Sequence, residues 1–430
     1  MSNLLQPYRR AAKGRALIDT FFKCWALVLP VTSVLIFPSI QGTTPAYMMA
    51  FLSIPLILFA ATAGEIRSYF FALFFIILGY ITLSSASQFF LSVGPPMDLS
   101  AVPLVDPLSF SRKIVLRPTF FTQSLYLFAG ILTFLFVRHW YRDSWDRYIF
   151  AGILLLVAYG FYEVFYFWLT GTSGDFLTNR TFNEGYSASS THVMEILGIA
   201  TLRMKSLTGE ASMFAFTVLP YWVFAIHKKR MITAGILSLA LLLSTSTTAI
   251  LGIVIYIGVI IVSAKVDWKY LAAAAGVSVL VTVLKFDTIF SLFNKLVLQK
   301  LSTTSISGGV RISNFLESVN FWWEAPLPTK FFGLGFGYIR STDFFSTILV
   351  NNGIIGLLIF LLFFAYPILA LGKTPKDFAL KMALLIIALT MLISVTEYTY
   401  LPTWLFAGIA YHRLSEYTTT PAFIAYRSTE

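Results

Sequence analysis

Charge is scarce in this sequence. Only 12% of the 430 residues are Asp, Glu, Lys or Arg, whereas 57% are hydrophobic, and the mean hydropathy is +0.77. A soluble chain of this length cannot hide so much apolar surface in one core, but a bilayer can take it up. Short segments of alternating polarity are also missing, which argues against a β-barrel. Cysteine occurs once, at Cys24, so no intrachain disulfide can form, and the residue reads as a small buried apolar side chain. Histidine occurs four times, and no Cys/His spacing suits a structural or catalytic zinc. There is no Walker A motif and no HExxH, and the "GLGFG" of residues 333–337 follows no βαβ unit. No A-x-A site follows the first apolar run, so a cleavable signal peptide is not expected.

Long apolar runs are abundant. Twelve are read: Cys24 to Ile40, Pro45 to Ala63, Tyr69 to Phe90, Phe120 to Val137, Ile149 to Leu169, Ala211 to Ile226, Met231 to Leu243, Thr248 to Ser263, Leu271 to Leu284, Phe344 to Leu371, Met382 to Val395 and Leu401 to Tyr411. Several are shorter than the roughly 20 residues of an ideal span and must borrow from their flanks. The expected fold is an all-α polytopic membrane protein of about twelve transmembrane helices, one integral membrane domain over residues 1–430. With the N-terminus inside, the cytoplasmic segments hold 19 Lys/Arg against 8 Asp/Glu, which is the whole formal excess of +11. Both termini are then cytoplasmic. The basic pI reports membrane orientation, and no nucleic-acid partner is expected.

The cytoplasmic loops ("AGEIRS", "RHWYRDSWDRY", "HKKR", "AKVDWKY", "GKTPKDFALK") are too short to fold a nucleotide-binding domain. The outer segments are longer: Leu91 to Thr119, Thr170 to Glu210 (the loop of 170–210) and Lys285 to Asp343 (the loop of 285–343, between the ninth and tenth runs). Long loops carry function more often than short connectors. In "RISNFLESVNFWWE", Ile312, Phe315, Leu316, Val319 and Trp322 share one helical face. Arg311, Asn314, Ser318 and Glu324 lie largely elsewhere, so the segment reads as an amphipathic helix on the bundle or in the interface.

Charged groups near membrane depth need a reason. Glu163, in "FYEVFYFW", reads as a snorkelling or hydrogen-bonded structural carboxylate. Glu210 sits in "RMKSLTGEASMFAF", shortly after Arg203 and Lys205. It is either a residue of the first turn of the sixth span, with Thr208 or Gly209 as N-cap, or a base in an anion site. Asp343 repeats the choice at the start of the tenth span, with Arg340 three residues before it: an N-cap, or part of the site. Two helix N-termini at one face, each with an acid and nearby cations, can build an anion site that contains a base. Arg311 adds a third cationic locus. His192 is the only histidine outside and is a further candidate base, although a lone loop histidine is more often a surface residue.

With these residues in place, the chain resembles the O-antigen polymerase and O-antigen ligase superfamily. The resemblance rests on the twelve-span plan with a large late outer loop, on Arg311 opening a loop helix, on "PLPTKFFGLGFG" and "NNGIIG", and on "RMKSLTGEASMFA". Two departures matter. Asp343, in "RSTDFF", stands where the ligases carry a histidine, which favours the polymerase branch. No arginine stands in "LSTSTTAILG" after the seventh run, so Arg203 or Arg180 is the substitute.

The resemblance implies a GT-C-like, metal-independent inverting glycosyltransferase of the bacterial inner membrane, with no cofactor. It would join undecaprenyl-diphosphate-linked oligosaccharide units at the periplasmic face. Membrane lipids are expected partners, with a chain-length regulator protein as a further candidate. Glu210, Asp343 and His192 are the candidate catalytic residues. Arg203, Arg311, Arg340 and Arg180 are the candidate phosphate-binding residues, with Tyr338 as a candidate for stacking on sugar. The alternatives are an O-antigen ligase that transfers glycan to lipid A-core, and a lipid-linked oligosaccharide flippase.

The orientation has a direct check. Cysteines introduced at Ser307 and Ser313 should react with a membrane-impermeant thiol reagent in intact spheroplasts, and one at Lys229 only after permeabilisation. The reverse pattern overturns the topology.

Overall fold

The computed structural model describes residues 2–38, 40–95, 97–100, 102–105, 116–177, 179–181, 193–196, 199–263 and 306–419. His192, the ninth apolar run and residues 285–305 of the late loop lie outside the described residues. The chain is mostly helical. In order come α1 (Ser2–Val28), α2 (Pro45–Ala60), α3 (Ala63–Val93), α4 (Pro118–Trp140), α5 (Asp146–Thr170), α6 (Ala211–His227), α7 (Met231–Ser244) and α8 (Thr247–Ser263). After the undescribed segment follow α9 (Ile306–Glu324), α10 (Leu327–Phe332), α11 (Phe344–Ala370), α12 (Pro375–Ser394) and α13 (Leu401–Thr419). Among the described residues five helical segments are long and apolar enough to cross a bilayer: Ala63–Val93, Pro118–Trp140, Asp143–Thr170, Phe344–Ala370 and Pro375–Ser394. Four more apolar helices are shorter, namely α2, α6, α7 and α8. The surface fits a lipid solvent, because α3 leaves Phe71, Phe74, Phe75, Leu78 and Ile81 exposed along its length.

The mostly helical fold is that expected of an all-α membrane protein, with one short antiparallel ribbon, Val193–Ile196 and Ile199–Leu202, that sets Val193 opposite Leu202. The structure corrects several other expectations. The first apolar run is not one span. Its helix ends at Val28, because Pro30 cannot continue the ladder and a β-branched stretch follows. That stretch joins the outer loops instead: the amides of Thr32 and Ser33 donate to Leu207 O (3.2 and 3.1 Å), and Val34 bridges to Arg180. Cys24 is exposed on α1, not buried.

The helix ends sort into two groups. At one end Lys228 pairs with Asp146 (2.7 Å), Lys376 with Asp143, and His412 Nδ1 lies 2.8 Å from Arg138 O. At the other end lie residues 32–35, 179–181, 206–207, 102–105, 338–340 and 395–400, which bond among themselves. Among the described residues, the loops read as cytoplasmic and those read as outer therefore gather separately.

The bundle core is aromatic. Phe22 stacks on Trp145 with ring centroids 3.9 Å apart, and the Trp25 indole donates to Ala46 O at 3.0 Å. The decisive irregularity lies in the tenth apolar run. It is not one straight span, because Gly353 breaks α11 with φ 63° and ψ −165°. The nine residues before the break pack inside the outer layer. The freed carbonyls of Val350 and Asn351 accept from Leu334 N (2.9 Å) and Gly335 N (2.8 Å) of the glycine loop. The Asn351 side chain closes the same joint, accepting from Ile339 N and donating to Ile339 O, both at 2.9 Å.

Only glycine fits at this joint. A Cβ on Gly353 would sit 2.3 Å from Phe331 O in a backbone region that other residues avoid, and one on Gly333 would sit 2.3 Å from Asn351 C. Gly353→Ala is therefore expected to cost about 3 kcal/mol or more. Gly235→Ala on α7, where an added Cβ meets nothing, should match or exceed wild-type stability. Thermal unfolding in detergent compares the two, and equal behaviour would remove the glycine joint as a structural requirement.

Candidate functional site

Four outer segments converge at the two helix starts singled out in the sequence. Asp343 is the N-cap of α11. Its carboxylate accepts from Ser346 N (2.7 Å), Ser346 Oγ (2.7 Å) and Ser341 Oγ (3.4 Å), and its carbonyl accepts from Thr347 Oγ1 (2.7 Å). It is only 6% exposed, and burial raises its pKa against the pull of these bonds. Both oxygens are spent on the helix start, as capping predicts.

Glu210 differs. It occupies the N-cap position of α6 itself, where Thr208 or Gly209 was expected, yet its side chain makes no capping bond. The carboxylate is exposed and accepts only from Ser212 Oγ, at 3.2 Å, among the described bonds. Arg203 stands near it, half-buried, with Nε donating to Thr245 Oγ1 at 3.0 Å. Burial lowers the Arg203 pKa, Glu210 pushes it up and Arg311 pulls it down, so Arg203 lies within electrostatic reach of both. Arg311 comes from α9 and donates through Nη1 to Ser394 O (3.3 Å), the last carbonyl of α12. Its own carbonyl accepts from Thr342 Oγ1 at 3.3 Å.

The faces of α9 explain how Arg311 arrives. Ile312, Phe315 and Leu316 are exposed, whereas Ser318 is fully buried and Arg311 and Asn314 are half-buried. The Arg311, Asn314 and Ser318 stripe faces the protein and Ile312, Phe315 and Leu316 face outward, whereas Val319 and Trp322 turn partly inward, Trp322 onto the cluster around Tyr338.

The other candidates are committed elsewhere. Arg180 is buried in a closed network. Its Nη2 lies 2.6 Å from Asp175 Oδ1 and 3.8 Å from Glu163 Oε1, and its Nη1 donates to Ser33 Oγ (2.9 Å) and Ser206 O (3.2 Å). Glu163 accepts from Ser206 N at 3.0 Å, and Lys205 pairs with Asp175 at 3.1 Å. Glu163 is thus hydrogen-bonded inside the outer layer, the second of its two structural readings. Arg180 ties the loop after α1 to the loop of 170–210 and leaves little of its fork for a ligand.

Tyr338 is wholly buried, so its ring offers no face to a sugar. Its hydroxyl donates to Gln88 Oε1 at 3.1 Å and accepts from Arg117 N at 3.4 Å. Arg340 pairs with Glu397, a carboxylate 5% exposed in the connection between α12 and α13. Sequence reasoning passed over Glu397, Asp175 and Gln123. The signal for Glu397 was present in "VTEYTYLP", a carboxylate at the outer break between the last two apolar runs.

The Arg180 network generates a pH test. Burial alone would raise the Asp175 pKa, but Arg180 and Lys205 outweigh it, and the folded value lies below the ordinary one. Its ionised form therefore stabilises the fold above the usual carboxylate pKa, and this contribution fades as the pH falls through the folded value. Asp175→Asn, which strands the buried Arg180, should cost about 3 kcal/mol near neutral pH. The gap to wild type should close as the pH drops below about 4. A pH-independent gap in denaturation curves would show that the Asp175 charge is not what matters.

No family model, no curated protein and no solved structure matches the chain.

Proposed function

We propose that the protein is a glycosyltransferase of the bacterial inner membrane that polymerises polyprenyl-diphosphate-linked oligosaccharides at its outer face. One observation carries the reading. Glu210 holds a helix-start position without capping it, exposed, within electrostatic reach of Arg203, which in turn lies within reach of Arg311 from another segment. A carboxylate placed only for stability would turn back onto the helix, as Asp343 does. The resemblance to the O-antigen polymerases supports the same assignment.

The chemistry follows from the charges. Glu210 accepts the proton of an acceptor sugar hydroxyl as that oxygen bonds to the donor's anomeric carbon from the face opposite the diphosphate. The anomeric C–O bond breaks, and its electron pair leaves with the diphosphate. Arg203 and Arg311 stabilise the charge that develops on the departing oxygens, aided by the positive end of α6. Arginine suits the task because its fork meets phosphate oxygens in pairs. Asp343 is the structural acid in this scheme, and His192 is not required.

Purified protein supplied with lipid-linked repeat units tests the reading through product ladders. Glu210→Gln should lower the rate by about a hundredfold or more, with folding intact. Asp343→Asn keeps capping geometry and should retain most activity, with about 1 kcal/mol lost in stability at most. Arg311→Lys keeps the charge but loses the fork, and most polymerisation should go with it. A wild-type rate in Glu210→Gln would remove the carboxylate base, and no ladders from wild type would remove polymerase function.

A further inference from the structure

Arg203 and Arg311 come from different segments, yet both are tied to one turn, residues 244–248 between α7 and α8. Arg203 is held there twice. The amide of the next residue, Met204, donates to Leu243 O at the end of α7 (3.1 Å), and Arg203 Nε donates to Thr245 Oγ1 (3.0 Å). Arg311 reaches the turn through the end of α12. Its Nη1 donates to Ser394 O at 3.3 Å, and the Ser394 and Thr248 hydroxyls lie 2.6 Å apart. Thr248 is fully buried, and its amide donates to Ser246 Oγ at 3.2 Å where α8 starts.

Thr245 is an odd residue for this turn. Its φ of 46° and ψ of 34° are left-handed, where a β-branched side chain crowds its own backbone. Of the non-glycine residues described with positive φ, namely Leu116, Ser206, Lys229 and Thr245, it alone is β-branched. Glycine would fit the same backbone without strain, so what threonine adds is its side chain. The residue is buried, and its hydroxyl donates to Ser244 O at 2.8 Å, which leaves the lone pairs of Oγ1 to accept from Arg203. Backbone strain persists where its surroundings hold it, and it concentrates at working sites. Among the described hydrogen bonds Arg203 uses only Nε, so its Nη1 and Nη2 are the pair turned to an anion.

We propose that the turn of residues 244–248 is a bracket that sets the two arginines relative to each other, with Thr245 as the positioning residue of Arg203 and Thr248, through Ser394, that of Arg311. The bracket touches no substrate. It aims two guanidinium groups whose placement would otherwise depend on two independent loops, and aim is what a preorganised anion clamp requires. That the anion is a diphosphate rests on the glycosyl-transfer reading above, whereas the coupling of both arginines to one turn rests on the hydrogen bonds alone.

The test uses full-length protein in lipid nanodiscs and reads calorimetric binding of farnesyl diphosphate, which needs no turnover. Thr245→Gly removes the hydroxyl and the strain together. It should weaken binding by about tenfold, the worth of one hydrogen bond to a charged group, and shift Tm by less than about 3 °C. Thr245→Ser restores the hydroxyl and should recover most of that loss. Thr248→Val, which cuts the tie to Ser394, should weaken binding by about threefold. In an Arg203→Ala background, Thr245→Gly should add less than about twofold, because a positioning residue has nothing left to position. The geometry has its own check. With Cys24→Ser, the pair Thr248→Cys and Ser394→Cys should lose both free thiols on mild oxidation, since hydroxyls in contact set their Cβ atoms near disulfide separation. Wild-type binding in Thr245→Gly, a serine variant no better than the glycine one, additive losses beside Arg203→Ala, or thiols that do not bridge overturn the proposal. The expected binding losses without product ladders from the wild type keep the bracket and sink the transfer reading. Ladders together with wild-type binding in both threonine variants do the reverse. A wild type that binds no farnesyl diphosphate removes the clamp and the bracket with it.

Discussion

The half of this protein that carries the glycine loop depends on the satisfaction of the backbone groups freed where α11 breaks. A helix interrupted at membrane depth exposes carbonyls that lipid cannot bond, so such a break persists only where protein covers it. Here the cover is the glycine loop, whose amides reach Val350 and Asn351. The loop is held in turn by α3, where Ser87 Oγ donates to Gly333 O at 2.9 Å. The strand-like bridge between Leu104 and Ile339 fixes its far end. The joint therefore sets the position of Arg340 and of the Asp343 cap at once. An arginine and an aspartate stand at the mouth of this apolar run because its first nine residues are part of the outer layer, roofed by the loop that precedes them.

The same reasoning separates four arginines that look alike in sequence. Arg180 is stapled to Asp175 and Glu163 beneath two loops, which makes it a strut. Arg340 has a buried acid of its own. Arg203 lies within electrostatic reach of Glu210 and Arg311, and Arg203 and Arg311 each spend a single described side-chain hydrogen bond on a neutral oxygen. A guanidinium that keeps part of its fork in a partly dry environment can still recognise phosphate, whereas one whose nitrogens are already paired with carboxylates must give up those pairs first.

Much of the helical plan was legible because apolar periodicity and length report burial in lipid, as at α3, α4, α5 and α12. The misreadings have physical causes. The run from Cys24 to Ile40 is apolar throughout, but Pro30 and the β-branched residues after it decide the backbone, and hydropathy does not register that. The break at Gly353 was hidden because asparagine and glycine inside an apolar run do little to its mean. The amphipathic segment around Arg311 was legible as a helix, but not which stripe would face inward, because that depends on whether lipid or water lies outside. Glu210 and Asp343 could not be separated by sequence, since capping is a matter of side-chain rotamer. Glu397 was missed because its partner lies 57 positions away along the chain.

The difference between the two helix starts points to a division between stability and chemistry. A carboxylate at an N-cap gains most by turning onto the first amides of the helix, and Asp343 takes that gain. Glu210 has one more methylene and could reach the same amides only by folding back, and it does not. The start of α6 is instead held from upstream, where the Thr208 hydroxyl donates to Lys205 O at 2.6 Å and the Ser206 amide to Glu163 at 3.0 Å. These contacts anchor the segment through the buried Arg180 network, so the helix start does not rely on its own N-cap side chain. A strut of paired charges beneath the loop thereby leaves the exposed Glu210 carboxylate with one described bond, from Ser212, within electrostatic reach of Arg203. The network around Arg180 is in this sense part of how the candidate site is built, although Arg180 itself is buried beneath it.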